Sequence, residues 1–309
     1  MSARMIRLVA CGSVDDGKST LIGRLLHATG NVPEDELEAL RLASVAHGTR
    51  GEAPDFALLL DGLAAEREQG ITIDVAWRHL RTPRGRFLIA DCPGHVEYTR
   101  NMATGTSTAD AMVLVVDASR GVSPQTLRHT AIAALMGVHH VVLAVNKMDR
   151  VGFARAAFEA VVAAYLDHAR ALGIDEVVAV PVAAAEGDNV AAPSPRLGWH
   201  TGPSALEAIE AIADLPPRPA VDCLPVQGVL RTPDGARWYT GTWSGSTLEC
   251  GARLQVDASG TQVTVRELCV AGVDTARAPG GAAVAVRLGE DTDAGRGAVL
   301  LRATDDVER

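Results

Sequence analysis

The stretch of sequence that decides the fold is Gly12-Ser13-Val14-Asp15-Asp16-Gly17-Lys18-Ser19. Two glycines, a lysine and a hydroxyl residue at this spacing are typical of a loop whose backbone N–H groups surround phosphates at the start of a helix. Lys18 brings a positive charge to the outer phosphates, and the Ser19 hydroxyl is a hard oxygen ligand for Mg²⁺. The alternative is a glycine-rich turn that caps a helix. We therefore predict a nucleoside triphosphate site here.

Two later blocks point to the nucleotide, and they read Asp91-Cys92-Pro93-Gly94-His95 and Asn146-Lys147-Met148-Asp149. The phosphate loop alone is compatible with any nucleotide triphosphatase, including adenine-specific ones. The Asp149 carboxylate can accept hydrogen bonds from the N1–H and the exocyclic amine of guanine, whereas adenine presents a different donor pattern. In this order the three blocks predict a GTP site.

A GTPase also needs a group that senses the γ-phosphate and a group that places water. We expect the Thr72 hydroxyl to bind Mg²⁺, although Thr72 can also be read as a β-branched strand residue. Asp91 is expected to hold Mg²⁺ through a water, and the Gly94 N–H to face the γ-phosphate. The histidine that follows is the candidate for orienting the attacking water. The predicted catalytic residues are His95, Lys18 and Thr72, and the predicted metal ligands are Ser19, Thr72 and Asp91.

Apolar runs and helical periodicity alternate over the first two thirds of the chain. Predicted strands lie at residues 6–11, 75–80, 87–90, 111–118, 141–146 and 177–183, and predicted helices at 18–28, 34–43, 124–137, 155–173 and 204–213. Such alternation predicts an α/β P-loop GTPase domain, a mostly parallel sheet flanked by helices. Ligands are expected at the carboxyl ends of the strands, where all three blocks fall.

Three prolines between residues 214 and 219 interrupt this pattern and predict a stiff linker. Beyond it, short apolar runs are separated by Gly and Asp turns, which predicts a small antiparallel β-barrel. The runs lie at residues 224–230, 238–243, 253–256, 262–270, 283–288 and 299–302. We therefore expect a GTP-binding domain at residues 1–215 and a translation-factor-like barrel at 216–309.

Composition narrows the possible partners and the compartment. The formal net charge of the 309 residues is −9, which gives no basic footprint for nucleic acid or anionic lipid. Five cysteines without paired spacing favour free thiols in a reducing compartment. No stretch approaches the ~20 apolar residues of a membrane span. We expect a cytoplasmic protein that binds neither membrane nor nucleic acid.

A longer segment carries a family resemblance, and it reads Asp61-Gly62-Leu63-Ala64-Ala65-Glu66-Arg67-Glu68-Gln69-Gly70-Ile71-Thr72-Ile73-Asp74-Val75. It resembles the first-switch segment of translation-factor GTPases and, more specifically, of the GTPase subunit of bacterial heterodimeric sulfate adenylyltransferase. Three other segments resemble that subunit too: the phosphate loop with its continuation Thr20-Leu21-Ile22-Gly23-Arg24-Leu25-Leu26, then Tyr98-Thr99-Arg100-Asn101-Met102-Ala103-Thr104-Gly105, and Glu186-Gly187-Asp188-Asn189-Val190. The resemblance runs from about residue 6 to 190 and more loosely through the barrel.

The resemblance implies that GTP and Mg²⁺ bind, and that GTP hydrolysis drives a separate catalytic subunit. That partner forms adenosine 5′-phosphosulfate from ATP and sulfate. Val14 and Ile71 match the apolar pair that screens the histidine in related GTPases. At the guanine-contacting loop, where the family reads Ser-Ala-Leu, this chain has Ala183-Ala184-Ala185. The backbone N–H toward guanine O6 is retained, whereas a hydroxyl that braces the loop is missing.

The family continues into a second β-barrel, so we expect this sequence to be a shortened form. Two alternatives stay open at this point. One is a translation-factor GTPase that carries aminoacyl-tRNA, against which the sulfate-type switch segment and the acidic composition count. The other is a shortened regulatory subunit that binds GTP and turns it over little.

Overall fold

The computed structural model describes residues 5–47, 54–60, 72, 74–215, 221–233 and 235–303. The chain divides into two compact units, Met1–Pro216 and Pro217–Arg309. The predicted first-switch residues 61–71 and 73, and with them Ile71, lie outside the described residues. No helix in the described part of the chain is long and apolar enough to cross a membrane.

A six-stranded sheet forms the centre of the first unit, in the order β2-β3-β1-β4-β5-β6. Its strands are β1 (Met5–Gly12), β2 (Ala76–Thr82), β3 (Gly85–Asp91), β4 (Ala111–Asp117), β5 (His140–Asn146) and β6 (Glu176–Pro181). Only the pairing of β2 with β3 is antiparallel; the other four described pairings are parallel. All seven residues of β4 are buried, as expected for a central strand covered on both faces. The predicted α/β architecture with a mostly parallel sheet is confirmed.

Helices cover the sheet, and their apolar faces complete two cores. The helices are α1 (Lys18–Ala28), α2 (Glu34–His47), α3 (Thr99–Thr106), α4 (Pro124–Leu135), α5 (Arg155–Ala171) and α6 (Ala205–Ala211). Short 3₁₀ helices lie at Phe56–Leu59, Val96–Tyr98, Met148–Val151, Pro195–Leu197 and Ile212–Asp214. Leu21 and Leu25 of α1 pack with Leu8 of β1 in one core, whereas Tyr165 of α5 packs with Leu143 of β5 in the other.

Helix α3 was missing from the sequence-based prediction. Its residues, which include Thr99, Thr104 and Gly105, have weak helix propensity, so local sequence does not reveal it. Tertiary packing stabilises the helix, because Met102 is fully buried in the second core. Gly105 allows the close approach: a Cβ there would overlap the Cys92 sulfur.

The second unit is built almost entirely from antiparallel strands around one core. Its strands are β7 (Cys223–Pro225), β8 (Gly228–Arg231), β9 (Arg237–Thr242), β10 (Leu248–Glu249), β11 (Arg253–Val256), β12 (Gln262–Val270), β13 (Val273–Asp274), β14 (Arg277–Ala278), β15 (Ala283–Leu288) and β16 (Val299–Arg302). Cys223 and Ser244 exchange backbone hydrogen bonds of 3.4 and 2.8 Å, which brings β7 back beside the end of β9. The sheet thereby curves around Trp243 and Leu254, as predicted for a small barrel.

One predicted barrel strand was wrong. Residues 224–230 were expected to form a single strand, and the structure has two, β7 and β8. The chain changes partners between them: the Val226 N–H donates to Ala298 O at 2.8 Å, next to β16, and the Gln227 N–H donates to Thr240 O of β9 at 2.7 Å. Such a change of pairing partner does not alter the alternation of apolar residues, so the sequence pattern does not reveal it.

Candidate nucleotide-binding site

The phosphate loop, residues 12–19, leaves the carboxyl end of β1 and leads into α1. Gly17 has φ 87° just before the helix, a left-handed conformation that favours glycine. A Cβ at this position would overlap the Asn146 side-chain amide. A Cβ on Gly94, in the turn after β3, would lie only 2.7 Å from Gly12 O. The loop, the turn and the end of β5 therefore meet with no room for side chains at these glycines.

Three successive carbonyl groups of the phosphate loop each accept a hydrogen bond from a different side chain. Val14 O accepts from Arg120 Nη1 at 3.2 Å, and Asp16 O accepts from Asn146 Nδ2 at 2.8 Å. Between them, Asp15 O accepts from Lys147 Nζ. Arg120 lies in the loop after β4, Asn146 is the last residue of β5, and Lys147 follows it. These contacts hold the outer side of the loop in place.

Lys18 lies beside two of the predicted metal ligands. Its ammonium group forms an ion pair with Asp91 at the end of β3, and it lies 3.2 Å from Thr72 Oγ1. Lys18 and Asp91 are 6% and 1% exposed, so water screens this pair little. The structure thus brings Lys18, Thr72 and Asp91 to one point, although Thr72 lies 54 positions from Lys18 and Asp91 lies 73.

A cleft opens beside the phosphate loop. It is lined by Ser13, Val14, Asp15, Gly17, Lys18, Ser19, Thr20, Ala57, Thr72 and Gly94. All of these except Ala57 belong to the predicted site. Ala57 sits in the 3₁₀ helix Phe56–Leu59, and an alanine in a short helix carries no sequence signal for a ligand.

Magnesium fits the donors around this cleft. Ser19 and Thr72 line it with hydroxyl groups, and Lys18 connects Thr72 to the Asp91 carboxylate. Hydroxyl and carboxylate oxygens are hard ligands of the kind that Mg²⁺ prefers. The residues present therefore suit the ion that the sequence predicts.

Asn146 joins the phosphate loop to the loop at residues 183–185, here named the base loop. Its Nδ2 donates to Asp16 O, and its Oδ1 accepts the Ala184 N–H at 3.0 Å. Arg24 of α1 holds the same loop from the other side: its Nε donates to Ala184 O at 3.2 Å, and its Nη2 donates to Ala185 O. Arg24 was not among the predicted site residues, and its two bonds hold the base loop through backbone carbonyl groups.

The phosphate loop contains one buried carboxylate, Asp16, and a second, Asp117, lies at the end of β4. Burial would raise the pKa of Asp117, but hydrogen bonds from Ser119 and Lys147 hold it below its usual value. Lys147 Nζ lies 2.9 Å from Asp117 Oδ2, which keeps the lysine in place. Burial, together with the nearby Asp117 charge, raises the pKa of Asp16 to about 6, although the Ser13 N–H donates to its carboxylate.

His95 follows β3 and Asp149 follows β5, and both side chains are exposed. The His95 side chain is 44% exposed, and in the described part of the chain it is not among the residues that line the cleft. Its Nδ1 accepts the Glu97 N–H at 3.3 Å, and its ring centre lies 6.0 Å from that of Tyr98. Asp149 lies in the 3₁₀ helix Met148–Val151, which begins just after Asn146 and Lys147.

The chain belongs to the family described as the elongation factor Tu GTP binding domain, whose profile matches residues 3–227. It is 49% identical over 304 residues to "Bifunctional enzyme CysN/CysC" of Xylella fastidiosa, covering 98% of this chain and 48% of that protein. It is 45% identical over 310 residues to "Sulfate adenylyltransferase subunit 1" of Erwinia tasmaniensis, covering 98% and 64%. These similarities confirm the resemblance predicted from the sequence. The chain spans about half to two thirds of these relatives.

Solved structures support the fold. The GTPase-like domain of Ski7 from S. cerevisiae, bound to GDP and inorganic phosphate, matches with a TM-score of 0.57 at 14% identity, over 97% of this chain and 75% of that one. Sup35 complexed with GDP matches with a TM-score of 0.51 at 22% identity, over 99% and 69%. At these identities the comparison concerns architecture alone.

Proposed function

We propose that the first unit binds GTP and Mg²⁺ in the cleft beside the phosphate loop and hydrolyses GTP. The observation that carries this proposal is the meeting of Lys18, Thr72 and Asp91 at the cleft. A triphosphate would compete with Asp91 and Thr72 for the Lys18 ammonium group. Lys18 would then contact the outer phosphates, and the oxygens of Asp91 and Thr72 would become available to the metal. When bound, Mg²⁺ neutralises phosphate charge and orders the triphosphate.

His95 is proposed to orient the attacking water rather than to remove its proton. The Glu97 N–H donates to His95 Nδ1, so in the neutral ring the proton lies on Nε2. A protonated Nε2 is a hydrogen-bond donor and can hold a water oxygen, but it cannot accept a proton from it. The side chain is exposed and can rotate toward the cleft, where Nδ1 would exchange the Glu97 N–H for another partner, so this tautomer belongs to the orientation seen here.

Guanine recognition is proposed for the loops after β5 and β6. Asp149 would accept from the two guanine donors, and the base loop would offer a backbone N–H to O6. The Ala184 N–H donates to Asn146 Oδ1 at 3.0 Å, and the Ala183 N–H donates to Asp188 O at 3.1 Å. These two bonds fix the path of the base loop that would face the guanine.

We further propose that the chain is the GTPase subunit of a sulfate adenylyltransferase. In this proposal, GTP hydrolysis stimulates a separate catalytic subunit that forms adenosine 5′-phosphosulfate from ATP and sulfate. The support is 45–47% identity, over nearly all of this chain, to relatives named "Sulfate adenylyltransferase subunit 1". Because GTP and ATP are cytosolic nucleotides, we expect the pair to act in the cytoplasm. The aminoacyl-tRNA alternative has no such support, since the translation-factor-like solved structures speak only to fold.

The test combines the purified chain, a purified catalytic subunit, ATP and sulfate. The rate of adenosine 5′-phosphosulfate formation is compared between GTP, GDP and a non-hydrolysable GTP analogue. We expect the highest rate with GTP, and a Lys18→Ala variant should abolish the difference. Association of the two proteins with equal rates in all nucleotides would reduce the chain to a GTP-binding scaffold. Co-purification of tRNA in place of the catalytic subunit would favour the translation-factor alternative.

A further inference from the structure

Arg120 follows β4 and belongs to none of the three predicted nucleotide blocks. Its Nη1 donates to Val14 O at 3.2 Å, and its Nη2 lies 4.0 Å from the Asp15 carboxylate. The contact joins residues that are 106 positions apart. Arg120 is 55% exposed, so burial of its own side chain does not account for the position.

The geometry of the peptide group gives this contact a consequence for phosphate binding. In a planar trans peptide the C=O of one residue and the N–H of the next point in opposite directions. An anchor on Val14 O from outside the loop therefore turns the Asp15 N–H to the other side. Val14 and Asp15 line the cleft, whereas Arg120 is not among the described residues that line it, which argues that the N–H side of the peptide, opposite Arg120, is the side of the proposed phosphate position. A phosphate loop works by presenting such N–H groups to the anion.

The conformation and the charge of Asp15 both disfavour the position of this peptide group. Its φ of 67° is left-handed, a region that non-glycine residues seldom adopt. Its carboxylate is exposed at a loop that receives anions, and a negative charge there disfavours phosphates. Lys147 fixes the next carbonyl, Asp15 O, and Asn146 fixes Asp16 O. Arg120 fixes the first of the three and also places a positive charge beside Asp15.

We propose that Arg120 is a positioning residue for the phosphate loop: it holds the Val14–Asp15 peptide with its N–H toward the phosphates and thereby slows nucleotide release. This inference rests on the proposed GTP site. Arg120 does not touch the nucleotide in this mechanism, because its guanidinium group contacts the outer side of the loop. Asn146 and Lys147 share the task, so loss of Arg120 weakens binding without abolishing it.

The test measures dissociation of fluorescent N-methylanthraniloyl-GDP by stopped flow for the whole chain and its variants. We expect Arg120→Ala to release the nucleotide about 3- to 10-fold faster, the range for loss of one hydrogen bond to a carbonyl. Arg120→Lys, which keeps a donor and the charge, should recover most of this loss. The matched control is Arg155→Ala: Arg155 is 65% exposed and pairs with Glu159 within α5. This control should leave the dissociation rate unchanged.

The outcomes separate the inference from the proposed function. If the wild-type chain binds no GDP, the proposed GTP site fails. If it binds and Arg120→Ala releases nucleotide at the control rate, the inference is overturned.

Adding Asp15→Asn to Arg120→Ala tests the mechanism. Full recovery of the wild-type release rate would show that Arg120 only screens the Asp15 charge and would overturn the peptide-holding role. Partial or no recovery supports it. Should Arg120→Ala fold poorly, Arg120→Met takes its place, and release at the wild-type rate from the folded methionine variant overturns the proposal.

Discussion

The Lys18 ammonium group and the Asp91 carboxylate form a buried ion pair that joins the start of α1 to the end of β3. Removing one partner of a buried pair leaves an uncompensated charge, which costs about 3–5 kcal/mol of folding free energy. We therefore expect Asp91→Asn to lower the free energy of unfolding, measured by urea denaturation without nucleotide. GTP hydrolysis by the same variant should need a higher Mg²⁺ concentration. The exposed Asp167→Asn on α5 is the control, and an Asp91→Asn variant that behaves like it would contradict both expectations.

Base selectivity depends on Asp149 in our proposal. Asp149→Asn should weaken GTP binding and favour xanthosine triphosphate, because the C2 carbonyl of xanthine then meets an amide donor. Loss of a hydrogen bond to a charged group costs roughly 1.5–3 kcal/mol, or about 10- to 150-fold in affinity. Titration with both nucleotides checks this, with the exposed Asp175→Asn as control. Retention of full GTP preference would show that another residue reads the base.

Turnover depends on His95 in our proposal, whereas nucleotide affinity does not. His95→Ala should leave the affinities for GTP and GDP nearly unchanged and slow hydrolysis by on the order of 10²-fold, the usual scale for groups that position water or transfer protons. Single-turnover assays at saturating GTP measure this, with the exposed His139→Ala as control. An unchanged rate would assign the attacking water to another group.

Asp16 and His129 should make opposite contributions to the pH dependence of stability. Burial raises the pKa of Asp16 to about 6, so its contribution to stability is complete below its unfolded pKa and is lost as the pH rises toward 6. Burial is also the main reason that the pKa of His129 falls to about 4, so its contribution is complete above its unfolded pKa near 6.5 and is lost as the pH falls. Between pH 4 and 6 the two effects oppose each other.

Urea denaturation from pH 4 to 8 can separate the two groups. Relative to the wild type, Asp16→Asn should show a free energy of unfolding that rises more steeply with pH between about 4 and 6. His129→Gln should show the reverse change. The difference in unfolding free energy between each variant and the wild type is expected to change by on the order of 2 kcal/mol over this pH range. Above about pH 7 each difference should no longer depend on pH. Parallel curves for all three proteins would show that neither group titrates in this window.

Sequence patterns anticipated most of the residues that line the cleft, but not the contacts that hold its loops together. The phosphate loop, Asp91 and the block at Asn146 were predictable because each has a local pattern and each follows an apolar strand. Arg24 and Arg120 were not predictable, since their partners lie 160 and 106 positions away and a surface arginine has no pattern of its own. For the same reason, helix α3 escaped prediction: it depends on packing of Met102 rather than on periodicity.

Asn146 bears on how the base loop can evolve. Its side-chain amide hydrogen-bonds both Asp16 O and the Ala184 N–H, so its contact with the base loop is to the main chain. This joint therefore depends on the path of the main chain and on the small size of the buried residues Ala183 and Ala184. A lineage can exchange the side chains here for other small ones while keeping the joint. Replacing Asn146 itself would disturb two loops with a single change.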